Sequence, residues 1–157
     1  MKRFLLPLLL TTMMPVVAQA KPAKTGGVVW RTDYDAALKE ARRAHKPVFV
    51  DFYTDWCGWC KVLDQKVYTD AKFVRASRQW VMVKLNAEKG ARNVALTRQF
   101  RVNGFPTLLM LSARGKELNR VPGFMQTAGL LSEMNKAQRA DGGLSARGPV
   151  QAPRRAG

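Results

Sequence analysis

The chain has two cysteines, Cys57 and Cys60, in the run Trp56-Cys57-Gly58-Trp59-Cys60-Lys61. Thiols at this spacing can close a disulfide across one helical turn and open it again by exchange. If a helix begins near residue 57, the Cys57 sulfur meets the unpaired N–H groups of its first turn. Those groups and the helix dipole stabilise a thiolate, so Cys57 is expected to be the nucleophile and Cys60 the resolving thiol. The strand-like run Pro47-Val48-Phe49-Val50-Asp51-Phe52-Tyr53 delivers the pair to the end of a sheet. A CxxC at a strand-to-helix junction reads as a redox site. Two other readings compete. Half of a zinc site needs further ligands, and the sequence has no second CxxC or His pair, so no metal is expected. A purely structural disulfide would close a loop so short that it restricts little unfolded-chain entropy.

Other residue types near the pair bear on its chemistry. Asp51 interrupts an apolar strand. It reads either as a polar residue at a strand end or as a partly buried acid with a raised pKa, able to take the proton from Cys60 as that thiol attacks. Asp64, four residues after Cys60, falls one helical turn on and on the same face. Two acids beside the cysteines raise the Cys57 pKa and favour a more reducing couple. Trp56 and Trp59 flank the site, Trp56 as a structural wall and Trp59 exposed towards partners. His45, the single histidine, is expected as a surface residue at a helix end.

The elements that position these residues follow from periodicity. Val28-Val29-Trp30 suits a short strand. Thr32, with an acid three residues on, suits an N-cap for a helix that carries Tyr34, Ala37, Leu38, Ala41 and Ala44 on one side. Pro47 ends that helix and opens a strand buried on both faces. After the cysteines, Val62, Leu63, Val67 and Tyr68 continue a helix; Thr69-Asp70 breaks it and caps another turn or two with Phe73, Val74 and Ser77. A strand over 80–85 and a helix over 91–100 follow, the helix with Val94, Ala95, Leu96 and Phe100 on its apolar side. A strand over 107–111, a hairpin to an edge strand over 117–121 and a helix over 128–139 complete the domain. The order β-α-β-α-β-α-β-β-α predicts an α/β fold: a central mixed sheet, parallel where helices intervene, with an antiparallel hairpin edge and helices on both faces.

The flanks suggest where the protein works. Met1-Lys2-Arg3, an apolar run from Phe4 to Val17 and Ala18-Gln19-Ala20 form a secretory leader with a cleavage site, so residues 1–20 are expected to be removed. Residues 21–27 read as a flexible lead-in, 28–140 as one domain and 141–157 as a disordered basic tail. The expected location is the periplasm, where disulfide chemistry is at home, without stable membrane insertion. The 27 Lys and Arg against 11 Asp and Glu give a net charge of +16. The basic residues are scattered and no RNP-like aromatic motif occurs, so nucleic acid is not an expected partner. A basic surface suits acidic partners or an anionic envelope. Nothing suggests a built dimer interface, and a monomer is expected.

With the cysteines after the second strand and Gly104-Phe105-Pro106-Thr107 opening a late one, residues 28–138 resemble the thioredoxin-fold oxidoreductases. They are most similar to the C-terminal thioredoxin-like domains of periplasmic thiol:disulfide interchange reductases. The stretches that match are Lys46-Pro47-Val48, Asp55-Trp56-Cys57, Cys60-Lys61, Tyr68-Thr69-Asp70, Asn93-Val94-Ala95-Leu96 and Gly123-Phe124-Met125. Gly58-Trp59 departs from the inter-cysteine pair of those domains. The resemblance implies a thioredoxin fold, a buried carboxylate at Asp51 and an acid at position 64. It also implies a cis peptide before Pro106 that sets the Phe105 backbone beside the sulfurs, to pair with substrate as an added strand. The expected function is a protein-disulfide reductase fed by an upstream membrane or periplasmic electron donor, with no cofactor. Alternatives are a disulfide oxidase or isomerase, or a copper-binding module using Cys57 and Cys60. Copper carriage wants a further soft or imidazole ligand near the pair.

Overall fold

A computed structural model describes residues 26–146. The leader, most of the lead-in and the tail beyond residue 146 lie outside the described residues. The elements are β1 (Trp30–Arg31), α1 (Tyr34–Ala44), β2 (Val48–Tyr53), α2 (Gly58–Val62) running into a π-helical turn (Leu63–Val67), α3 (Ala71–Ser77), β3 (Val81–Asn86), α4 (Ala91–Gln99), β4 (Thr107–Leu111), β5 (Glu117–Pro122) and α5 (Thr127–Ala146). The strands form one mixed sheet in the order β1-β3-β2-β4-β5.

β2 and β3 lie inside the sheet and are buried on both faces, which is why they read as near-continuous apolar runs. Alternation along β2 divides the core. Val48, Val50 and Phe52 pack with Tyr34, Ala37 and Ala41 of α1 and with Leu96 and Phe100. On the opposite face Phe49 packs with Leu63, Val67, Tyr68 and Phe73, and with Leu130 and Met134 of α5. Asp51 projects to this second face, towards the segment that follows the cysteines.

Several boundaries and pairings differ from expectation. β1 starts at Trp30 and is only two residues long, set by its short parallel register Trp30↔Met82 and Arg31↔Val83. Asp33, not Thr32, caps α1: its carboxylate accepts from Ala36 N–H at 2.9 Å, which a residue one step earlier in the chain does not do here. Ala95 is exposed on α4 and Leu96 carries the burial. β4 runs antiparallel to β2, so the antiparallel part begins one strand earlier than the intervening helix suggests. The reason is local. Asn93 and Thr97 of α4 donate to the carbonyls of Asn86 and Ala87, which holds α4 at the end where β3 finishes. The chain therefore re-enters the sheet at that end, with Thr107 opposite Phe52. Finally, α5 continues to Ala146, past residue 140 where a disordered tail was expected to begin. Extending an established helix needs no new nucleus.

Candidate active site

Cys57 and Cys60 form a disulfide with Cα atoms 5.3 Å apart. It sits where β2 hands over to α2, with Cys57 N–H donating to Thr54 O at 3.2 Å across the connecting turn. Cys57 is the N-cap of α2, one position before the first helical residue, and its sulfur accepts from Cys60 N–H at 3.1 Å. This contact is the one that would stabilise a Cys57 thiolate. Both sulfur residues are nearly covered in the disulfide form, so Cys57 is less exposed than a helix start suggests.

Asp51 has no exposed surface, and neither carboxylate oxygen has a hydrogen-bond partner. The sequence suggests partial burial; here the acid is wholly inside the protein. Its surroundings are set by strand register. Val48 of β2 lies opposite Val81 of β3, which sets Asp51, fourth in its strand, opposite Lys84, fourth in its own. Lys84 Nζ lies 3.9 Å from Asp51 Oδ2 and also forms an ion pair with Asp64 on the π-helical turn. The same ammonium lies over the rings of Tyr53, Tyr68 and Trp30, at 5.0, 5.5 and 5.8 Å from their centres. Burial pushes the Asp51 pKa up to about 7; the Lys84 charge opposes this, and Asp64 adds to it.

Phe105 and Pro106 lie in the loop before β4, joined by a cis peptide bond. Pro106 O accepts from Gly123 N–H at 2.7 Å, which ties this loop to the end of β5. Gly123 has φ +82°, a conformation that disfavours any side chain. The Phe105 ring meets Trp56 edge-on at 5.8 Å.

A thioredoxin-like domain family matches residues 34–138. The chain belongs to the thioredoxin-like family. Over 100 residues it is 35% identical to the thiol:disulfide interchange protein DsbD of Pseudoalteromonas atlantica, a stretch covering 61% of this chain and 17% of that protein. Over 137 residues it is 28% identical to the thioredoxin-related protein DsbJ of Chlamydia pneumoniae, covering 81% of this chain and 39% of that one. Its fold superposes on the DsbH oxidoreductase with a TM-score of 0.64 at 26% identity, over 81% of this chain and 95% of that chain. The chain thus spans well under two thirds of the length of these curated relatives. The sheet order and two-sided helix layers described above are those of a thioredoxin-like α/β fold.

Within this thioredoxin-like domain, the two tryptophans that flank the cysteine motif face outward. Trp59 is 60% exposed and stacks on Phe124 at 5.1 Å. Trp56, expected as a structural wall, is 67% exposed and stands at the surface. Its indole N–H donates to the Glu88 carboxylate at 3.1 Å, so it is held from the turn after β3 instead of by core packing. Asp55 accepts from Asn86 Nδ2 at 2.8 Å and pairs with Lys89, tying the same turn to the residues before Cys57. His45 caps the C-terminus of α1, before β2, whereas Cys57 follows β2. A six-residue strand separates them, about 20 Å.

Lys84 and Tyr68 are functional candidates that the sequence reading did not single out. Lys84 had a signal, since it breaks the apolar run Val81-Met82-Val83 as Asp51 breaks its own. Only the register joins the two. Tyr68 reads as one more apolar position on a helix and as part of the matching stretch Tyr68-Thr69-Asp70, with no role given to its hydroxyl.

Proposed function

We propose that this chain is an exported thiol:disulfide oxidoreductase that reduces protein disulfides in the periplasm. The observation that carries the reading is the Cys57–Cys60 disulfide at the N-cap of α2, directly after the strand that holds a wholly buried Asp51. The Cys57 thiolate attacks a substrate disulfide, forms a mixed disulfide and releases one substrate thiolate. Cys60 then attacks the Cys57 sulfur, the bond to substrate breaks, and the second substrate thiolate leaves. Two electrons pass to substrate and the Cys57–Cys60 disulfide is restored. Asp51 takes the Cys60 proton, a role supported by a pKa raised to about 7 by burial. Asp64 acts through Lys84, whose charge it shares with Asp51. Trp56, Trp59, Phe105 and Pro106 form the surface on which the substrate peptide lies. The name of the DsbD relative, a thiol:disulfide interchange protein, supports disulfide interchange as the reaction class. An upstream periplasmic or membrane donor would return the pair to the dithiol.

Reduction is the direction we favour over oxidation, since negative charge on Asp51 and Asp64 would disfavour a nearby thiolate. One observation supports the opposite direction: the Lys84 ammonium offsets both acids. The reduction potential decides between them. A value near the roughly −270 mV of thioredoxin is expected; one near −120 mV would make the protein an oxidant. A copper-binding role is disfavoured by the strand's length between His45 and the cysteines. Failure of the reduced protein to reduce any protein disulfide would overturn the reading.

A further inference from the structure

Tyr68 carries a buried hydroxyl that the exchange chemistry leaves unused. Its oxygen has no hydrogen-bond partner, and neither has either oxygen of Asp51. Buried polar atoms are almost always paired, so two sets of orphans call for a physical reason. These orphans share one location. Tyr68 belongs to the core on the face of the sheet that carries Phe49. Asp51, two residues along β2 from Phe49, projects to that same face. Lys84 touches both: its Nζ is 3.9 Å from Asp51 Oδ2 and 5.5 Å from the centre of the Tyr68 ring.

The π-helical turn brings Tyr68 there. Its N–H donates to Leu63 O, five residues back, at 2.9 Å. Its ring packs on Trp30 and Phe73 at 4.9 and 5.0 Å between centres. Packing therefore fixes the ring while the hydroxyl proton can rotate.

We propose that Tyr68 is a positioning residue for the proton step: its hydroxyl donates a hydrogen bond to the ionised Asp51 carboxylate and so sets the pH range in which Asp51 accepts the Cys60 proton. The proposal rests on the reading of Asp51 as that acceptor. Burial, and then the charge of Asp51, hold the Tyr68 hydroxyl well above the usual phenol range, so it remains a donor. A hydrogen bond to the charged form favours that form. Tyr68 thus acts on Asp51 in the same sense as Lys84 on β3 and against Asp64 on the π-helical turn. From β4 the residue opposite Asp51 is the apolar Leu108. In the step itself the Cys60 proton moves to Asp51 as the Cys60 sulfur bonds to Cys57, and the substrate sulfur leaves with the bonding pair. The Tyr68 proton stays on its oxygen throughout.

Tyr68→Phe keeps the ring and removes only the oxygen. The experiment follows the Asp51 carboxyl carbon by NMR against pH in the oxidised protein, wild type and variant, and the pH dependence of resolution in single turnovers. In Tyr68→Phe, Asp51 is expected to ionise roughly one pH unit higher, a tenfold loss of carboxylate at a given acid pH, and the acid limb of resolution to move with it. Added to Asp51→Asn, the same change is expected to leave the profile where Asp51→Asn alone sets it. An Asp51 titration unmoved by Tyr68→Phe overturns the proposal. A second measurement needs no variant: the Tyr68 ring carbon bearing the hydroxyl, followed in wild type, is expected to inflect at the pH where Asp51 titrates. A flat response overturns the proposal even if the variant fails to fold. Both titrations are read without substrate. Absence of disulfide exchange would therefore sink the oxidoreductase reading, while the titrations still decide whether Tyr68 controls Asp51.

Discussion

Lys84 Nζ, partly exposed, lies 3.9 Å from Oδ2 of the wholly buried Asp51, and the pair is not a simple salt bridge. The ammonium is shared with Asp64, which leaves Asp51 only part of its charge. One cation between two acids cannot neutralise both. The wholly buried Asp51 keeps its proton to higher pH than an ordinary carboxyl, because desolvation outweighs the attraction of Lys84.

Lys84→Met tests that balance. Methionine retains an unbranched stem to pack under Trp30, Tyr53 and Tyr68 but carries no charge. Since the Lys84 charge lowers the Asp51 pKa, its removal is expected to raise the titration above about 7. The Asp51 carboxyl resonance against pH checks this, and a downward shift would contradict the assignment.

Asp51→Asn tests the cost of the buried acid. The folded pKa of about 7 exceeds the ordinary value of 3.8. Between these values the folded state binds more protons than the unfolded state, so this group's contribution falls as pH rises through the window. Asp51→Asn removes the loss. The variant is expected to gain stability over wild type from pH 4 to pH 8, by up to roughly 4 kcal/mol at 1.36 kcal/mol per pH unit. Urea unfolding of the disulfide form at the two pH values measures it. A difference that does not grow with pH would mean that the carboxyl titrates normally.

The same substitution bears on the cysteines. With the nearby charge gone, the Cys57 thiolate is expected at lower pH, while resolution by Cys60 slows for want of a proton acceptor. Thiolate absorbance against pH, read beside turnover of a model disulfide, separates the two effects. Asp64→Asn is expected to move Cys57 in the same direction and by less, since Asp64 is partly exposed.

Cys60→Ala is expected to trap substrate on Cys57 as a mixed disulfide, because the resolving thiol is gone. In the reduced wild-type protein a thiol reagent is expected to label Cys57 first, since its sulfur accepts the Cys60 N–H. Mass mapping that found the label mainly on Cys60 would reverse the roles.

Trp59→Ala removes an exposed ring stacked on Phe124. If that surface carries substrate, KM for a protein disulfide is expected to rise about tenfold, with kcat for a small disulfide little changed. Equal losses on both substrates would point to a damaged site.

Much of this protein was readable in its sequence because the signals are local. The Cys57–Cys60 spacing, the apolar runs of β2 and β3 and the turn before Pro106 each depend on neighbours in the chain, and they carried the fold class and the redox pair. Asp70 as the cap of α3 was legible for the same reason. Other features depend on residues far apart in sequence. Asp51 could be seen as an anomaly, yet the cation nearest it is 33 positions away and is fixed only by the parallel register of β2 and β3. The direction of β4 was hidden because side chains of α4, and no turn motif, hold that helix at one end of the sheet. Trp56 could be read as a wall from its place beside Cys57, but its exposure and its contacts with Glu88 and Phe105 join residues far apart in sequence. The Tyr68 hydroxyl became visible as a group in need of a partner only once the π-helical turn and the packing around Lys84 had buried it. Residue type and spacing determined which chemistry was available to this chain. The register of two strands and the burial it imposed decided which charged and polar side chains would meet around Asp51.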